Sequence, residues 1–484
     1  MIKINNKLIS LIESLNSEEI KQLKKFISSP FFTNGRNYNP FLNEVIKFSA
    51  NPGKKNNYKY IKKSEIPGNL NDQTLRNRYS ELYKLCEEFL IYKSNKKKFS
   101  DRNKILMAEL LERKLYSSFK YNHIETIKQL NKEKFSIEKY KSLSEFSTLN
   151  ETFLHQIKKH ELYYNELHKN SKTIICLNLL SLLDLGLEFL HQEFYDIKFE
   201  PNYVYTFLKL LNIDEIIDKF KNSDSVIERV TSMNYNIYKA FENKENENFY
   251  FESHKIFTGL ISELKDSYKV RTYNHFINYC IIKQNNGIAK FQHELFKLYN
   301  EKLEQSLISD FKINLYLFNS FRDYVFIGIS LKEFRWVEDF IKKYSSVLPD
   351  EIRESETNIS YANLYFALGE FSKSLSYMEF HKSSHFMSYF DSSILKLCNF
   401  YELMKYEDAF LELDNLKHYL KNNIKTPDNY KENVSNFIKI YQKLLKLRTN
   451  YGKSDTGLIK KELKKFKNIA NPFWLNEKLS ELEK

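Results

Sequence analysis

The sequence predicts an all-α fold. Only 10 Gly and 8 Pro occur in 484 residues, against an average usage of roughly 12% for the two together. A sheet protein of this length needs many more turn formers. Leu, Ile, Lys, Glu, Phe and Tyr dominate, and the apolar ones recur at helical spacing. Three stretches also read as helix, tight turn, helix: 331–349, YANLYFALGEFSKSLSYME at 361–379, and CNFYELMKYEDAFLEL at 398–413. A hydrophobic share of 42% supplies a real core, so global disorder is not expected. The length exceeds one ordinary core and implies several domains or a long array.

The first module is expected over residues 1–100. Leu8, Leu11, Ile12 and Leu15 form one helical stripe. Asn16 and Ser17 followed by Glu18 and Glu19 mark a helix start, with polar acceptors at the cap and carboxylates at the positive end of the dipole. That helix turns Ile20, Leu23, Phe26 and Ile27 inward and stops at Ser29-Pro30; another begins near Pro40 with Phe41, Val45 and Phe48. Residues 49–74 carry two Pro-Gly pairs and the lysines Lys54, Lys55, Lys59, Lys62 and Lys63, which read as a basic loop with a short strand or wing. A clear helix follows at 75–90, with Leu75, Tyr79, Leu82, Cys86 and Phe89 on its apolar face.

Residues 101–270 read as long helices, economically arranged as hairpins, with connections at Pro201 and 243–248. The stretch at 173–190 is the most apolar, yet holds Asp184 and Glu188, and reads as a deeply buried helix rather than a membrane span. From 271 to 484 the hairpin pattern sharpens. Val434, Phe437, Ile438, Tyr441 and Leu445 give an amphipathic helix, and 459–466 with Phe473-Trp474 form a cap.

Charge is unevenly placed. Residues 1–100 carry 19 Lys and Arg against 9 Asp and Glu, leaving 56 against 53 for the rest of a chain whose net charge is +13. A clustered positive excess attracts polyanions by releasing their counterions. The cysteines at 86, 176, 280 and 398 never form C-x-x-C and sit in apolar patterns, as small buried residues of a reducing compartment do. The N-terminus lacks the apolar core of a signal peptide, so a soluble cytoplasmic protein is expected.

The hairpins resemble the tetratricopeptide repeat. Phe334, Phe371 and Tyr406 fall at its second-helix aromatic position, with spacings of 37 and 35 near the family period of about 34. Val337, Ser374 and Ala409 follow at the position that normally takes Ala, then Ile341, Met378 and Leu413. Ala362, Tyr365 and the turn residue Gly369 match in the first helix, and Pro349 stands at the terminal Pro. Gly328 departs from an aromatic position, and Lys332 and Met404 replace the turn glycine. The whole chain also resembles a group of uncharacterised bacterial helical proteins, through 15–32, 75–90 and 334–349. The first resemblance implies an α-solenoid that binds a peptide or protein along a face lined by first helices. Here that face holds Arg322, Phe326, Asn363, Phe366, Tyr401 and Glu402. Arg322, Ile359 and Ile394 stand where chaperone-binding members carry clamp lysines, so a chaperone-tail receptor is not expected.

The expected function is therefore a non-catalytic scaffold or adaptor. The alternative is a DNA-binding regulator. The order of helix, loop and helix up to 90 is loosely similar to winged-helix domains, with Arg76, Arg78, Ser80 and Lys84 facing DNA and the lysine-rich loop contacting phosphates. Glu81, Glu87 and Glu88 on the same helix work against it.

No catalytic, metal or cofactor site is expected. Gly452-Lys453-Ser454 resembles the end of a phosphate loop, but Leu447 stands where its first Gly is needed. His381 and His385 have helical spacing without a third ligand. His155, His160 and His168 do not share one face. No G-x-S-x-G element occurs.

Overall fold

A computed structural model describes residues 2–3, 6–49, 60–61, 71–97, 99–192, 202–308, 318–379, 386–422, 426–449, 455–466 and 468–483. The fold is all-helical, with 24 α-helices among the described residues. One two-residue antiparallel pair departs from this, β1 (Ile2–Lys3) with β2 (Tyr60–Ile61), and it places a short strand inside the expected 49–74 loop. The chain divides into two compact units, Met1–Ser181 and Leu182–Lys484.

The first unit opens with α1 (Asn6–Glu13), α2 (Ser17–Ile27), α3 (Pro30–Thr33), α4 (Asn39–Ser49) and α5 (Asp72–Lys97). Asn16 caps α2 through a reciprocal box: its Oδ1 accepts from the Glu19 backbone N–H at 2.9 Å, and Glu19 Oε2 accepts from the Asn16 N–H at 2.8 Å. Two orphan donors are thereby satisfied at the helix start. The five apolar residues of the 75–90 stripe are all buried, and with Leu8, Ile12, Leu23, Phe26 and Leu42 they form one core. That core draws only on residues 8–89, so this module packs on itself. Next come α6 (Phe99–Glu112), α7 (Tyr116–Asn131) and α8 (Ile137–Gln156), around Met107, Phe119, Phe146 and Phe153.

The division between the units falls within α9 (His160–Gln192). By length and composition alone, its stretch His160–Leu190 could cross a membrane. It is not buried all round, as the sequence suggested. Cys176, Leu179, Leu180, Leu183 and Leu187 are buried in one stripe, while Ile174, Ile175 and Leu185 remain exposed. Its C-terminal end is fixed by an ion pair from Asp184 Oδ1 to Arg271 Nη2 at 2.5 Å.

The second unit continues with α10 (Tyr203–Leu210) and α11 (Ile213–Phe220) and then becomes a run of helical hairpins. They are α12 (Val226–Glu242) with α13 (Asn248–Leu260), α14 (Asp266–Asn285) with α15 (Lys290–Glu304), and α16 (Phe318–Ser330) with α17 (Phe334–Tyr344). Two more follow, α18 (Asp350–Ala367) with α19 (Phe371–Glu379) and α20 (Phe386–Glu402) with α21 (Tyr406–Asn422). The chain ends in α22 (Asp428–Arg448), α23 (Thr456–Leu463) and α24 (Pro472–Glu481). Val434, Phe437, Ile438, Tyr441 and Leu445 are all buried in this last core.

The turns of the last three hairpins share one backbone device. After α16, the Glu333 N–H donates to Gly328 O at 2.8 Å and the Lys332 N–H to Ile329 O at 2.9 Å. The same nested pair closes α18 at Gly369 and α20 at Met404. This is the Schellman stop, whose C′ residue is left-handed. Lys332 (φ 61°) and Met404 (φ 56°) adopt the conformation that Gly369 takes at φ 78°. A missing glycine therefore changed the strain of the turn and not its geometry.

Packing also explains the other departures from the repeat pattern. The position that normally carries Ala in the second helix holds Val337, and the facing position on α16 is Gly328. A Cβ on Gly328 would lie 2.5 Å from Val337 Cγ2 and 3.1 Å from Trp336 Cε3. The small and large residues have exchanged helices at this crossing. Gly328→Ala is expected to lower stability by about 1–3 kcal/mol. Adding Val337→Ala should return part of that loss, read as a coupling energy in a double-mutant cycle of denaturant unfolding; additive losses would contradict this account.

Candidate functional site

Three consecutive first helices, α16, α18 and α20, meet around one buried arginine. Arg322 is 4% exposed. Its Nε donates to Glu356 Oε2 at 2.6 Å and its Nη2 to Glu356 Oε1 at 2.7 Å, a bidentate pair. Its Nη1 donates to Asp391 Oδ2 at 2.9 Å and Nη2 also reaches Ser388 Oγ at 3.1 Å. Glu356 is equally buried, whereas the Asp391 side chain is about half exposed, at 52%. Despite the cost of burial, these carboxylates hold the Arg322 guanidinium above its ordinary pKa, so it stays charged. Half-buried Asp323, next to it in the chain, has its carboxyl pushed up to about 7 by burial, against the opposing pull of Arg322.

This corrects the expectation that Arg322 lines an accessible ligand-binding face. A guanidinium removed from water must be paired and hydrogen-bonded, and its partners come from the next two hairpins. Sequence inspection missed Glu356, Asp391 and Ser388. Glu356 lies 34 residues after Arg322, about one helical turn before Ile359, the position that the resemblance pairs with Arg322.

The other five groove residues divide. Phe326 is 46% exposed on the same helix as Arg322. Asn363 is half-buried, and its Nδ2 donates to Ile359 O at 2.8 Å within α18. Phe366 is half-buried, packed edge-on against Phe371 at 5.5 Å between ring centroids. Tyr401 is 6% exposed and packs edge-on against Trp474. Glu402 Oε1 accepts from Trp474 Nε1 at 2.7 Å and pairs with Lys478 Nζ at 3.0 Å. Tyr401 and Glu402 thus hold the C-terminal helix α24 in place, a second correction. Of the six predicted groove residues, Phe326 remains exposed and Asn363 and Phe366 partly so, and Asp391 adds a half-exposed carboxylate.

On the N-terminal module, Arg76, Ser80 and Lys84 lie along one exposed stripe of α5. Arg78 does not join it. Its Nη1 donates to Glu81 Oε2 at 2.9 Å, and the same carboxylate accepts from Tyr38 OH at 2.5 Å. Arg36 pairs with the other Glu81 oxygen at 3.3 Å. Glu81 is therefore turned to internal partners, and Tyr38 foremost holds its carboxyl below the ordinary range. Glu87 and Glu88 are exposed one turn beyond Lys84. Lys54, Lys55, Lys59, Lys62 and Lys63 lie outside the described residues, as do His381, His385 and the Gly452-Lys453-Ser454 stretch.

Among the described residues, no group of three His, Cys, Asp or Glu could hold a metal ion. The four cysteines are buried, and burial pushes the thiols of Cys86 and Cys280 up to about 12, away from thiolate chemistry. A cavity of about 450 Å³ is lined by Gly186, Phe189, Leu190, Tyr205, Phe241 and Glu242, among others. Comparison with protein-family models, with curated proteins and with solved structures found no match.

Removing one member of the buried network leaves a charge without its partner. Glu356→Gln is expected to cost about 3–5 kcal/mol of unfolding free energy. The paired replacement Arg322→Met with Glu356→Leu should cost far less, because no buried charge is stranded. Chemical denaturation of both variants checks this, and equal losses would exclude it.

Proposed function

We propose that this chain is a non-catalytic scaffold of tetratricopeptide-like hairpins, forming an α-solenoid whose first helices bind a peptide segment of a partner protein. One observation carries this reading. The Arg322 network joins the first helices of three successive hairpins and so makes a preorganised platform, with Phe326 left standing out of it. A rigid platform lowers the ordering cost of binding an extended or helical ligand. Affinity would come from Phe326 and the accessible edge of Phe366, and orientation from Asn363 and Asp391 rather than from Arg322 or Glu402.

Peptides selected from a random display library against the full chain provide the test. Phe326→Glu is expected to weaken selected peptides by about tenfold, since a charge would replace an apolar anchor. A library that yields no binder, or binders indifferent to Phe326→Glu and Phe366→Glu, would remove the reading.

A second reading rests on the exposed Arg76–Ser80–Lys84 stripe: a regulator that binds DNA through the N-terminal module and senses a partner through the hairpins. Binding of the full chain to duplex DNA should then fall steeply with added salt, and the slope should drop by about 2 in Arg76→Ala/Lys84→Ala, one per lost phosphate contact. Absence of binding at low salt excludes it.

A further inference from the structure

On the second helices of the hairpins, α15 and α17 enclose a slot of about 270 Å³. Its aromatic wall comes from Trp336, Phe340 and Tyr344, spaced four apart on α17. The Trp336 and Phe340 rings are stacked, 5.4 Å apart and within 7° of parallel, and Phe340 is buried against Tyr324, so the half-buried Trp336 and Tyr344 rings are what the slot offers. The indole is pinned: its Nε1 donates to Asn300 Oδ1 at 2.9 Å, and Phe296 packs against it at 4.8 Å. Glu304 and Asp339 stand at the rim, both exposed, and neither forms an ion pair among the described residues. Among the described residues, the one cation lining the slot is Lys343, whose Nζ lies 5.0 Å from the Tyr344 ring centroid.

We propose that this slot accepts an arginine side chain of a partner polypeptide. The volume is below that of ordinary cofactor or drug-sized sites, roughly 300–1,000 Å³, and suits a single side chain. An aromatic surface attracts a cation through the negative face of its rings. A planar guanidinium stacks on such a surface and still offers donors at its edges to two carboxylates, which a compact ammonium does less well. With two carboxylates and one lysine, the rim is net negative on a chain whose total is +13. Its charge is therefore local and complementary to a basic ligand. Lys343 is the internal competitor for the rings. This site is separate from the first-helix platform and stands or falls without it.

The test uses the full chain, acetyl-Gly-Arg-Gly-amide as ligand and the citrulline peptide as its neutral isostere, read by calorimetry and by indole fluorescence. The arginine peptide is expected to bind saturably and the citrulline peptide at least tenfold more weakly. Glu304→Gln and Asp339→Asn should each weaken binding by about fivefold, and Lys343→Ala should strengthen it. All three residues are exposed, so these variants should keep the wild-type melting temperature. Trp336→Phe should abolish the fluorescence response, because the other tryptophan, Trp474, is buried against Glu402. Equal binding of the two peptides, no binding of either, or indifference to both carboxylate substitutions would overturn the proposal.

Discussion

A single charged side chain fixes how the C-terminal hairpins stack. Arg322 is buried with four of its five donor hydrogens engaged, on Glu356, Asp391 and Ser388. Placing a guanidinium and a carboxylate out of water costs several kcal/mol per ion, and their attraction returns this only in good geometry. The bidentate pairing at 2.6 and 2.7 Å meets that condition. The net gain over an apolar trio is small, but the penalty for a slipped register is large. A hairpin shifted by one turn would leave three buried polar groups unpaired. The network thus acts on the choice of arrangement more than on its depth, and the surrounding aromatic packing supplies the depth.

That packing is dense and continuous. Tyr299, Tyr324 and Phe340 stack across α15, α16 and α17, with ring centroids 4.1 and 5.1 Å apart. Tyr250 performs the same joining role farther back, stacked on Tyr279 at 5.0 Å and edge-on to Phe276 and Phe291. Aromatic rings suit this use because each buries a large area with few rotatable bonds. The Tyr250 hydroxyl finds a partner within this packing, Glu294 Oε1 at 3.1 Å. A chain rich in Tyr and Phe can therefore stack helices closely without the small residues that helix crossings usually require. Where two helices do come too close, one residue yields, as Gly328 does to Val337.

The N-terminal module solves a different problem. It places 19 basic residues within its first hundred positions and still closes a core from 8 to 89. Arg36, Arg78 and Tyr38 converge on Glu81, whose single carboxylate offsets one of those positive charges. Arg76 and Lys84 keep theirs. Position along one helix, and not composition, separates the structural arginine from the exposed ones.

Where apolar spacing and caps were clear, the sequence by itself determined helices, stops and buried faces, because those depend on near neighbours. The Asn16–Glu19 cap, the Leu75–Phe89 stripe and the amphipathic helix around Tyr441 were legible for that reason. So were the hairpin turns, although Lys332 and Met404 hid two of them behind residues that rarely turn left-handed. Only the tertiary structure decided which charges face water. Arg322 and Glu402 look like ligand-binding residues along the chain, yet each is neutralised by a partner dozens of residues away. Burial is a property of the stacked layers, and a charge can be assigned to the interior or the surface only when the layer covering it is known.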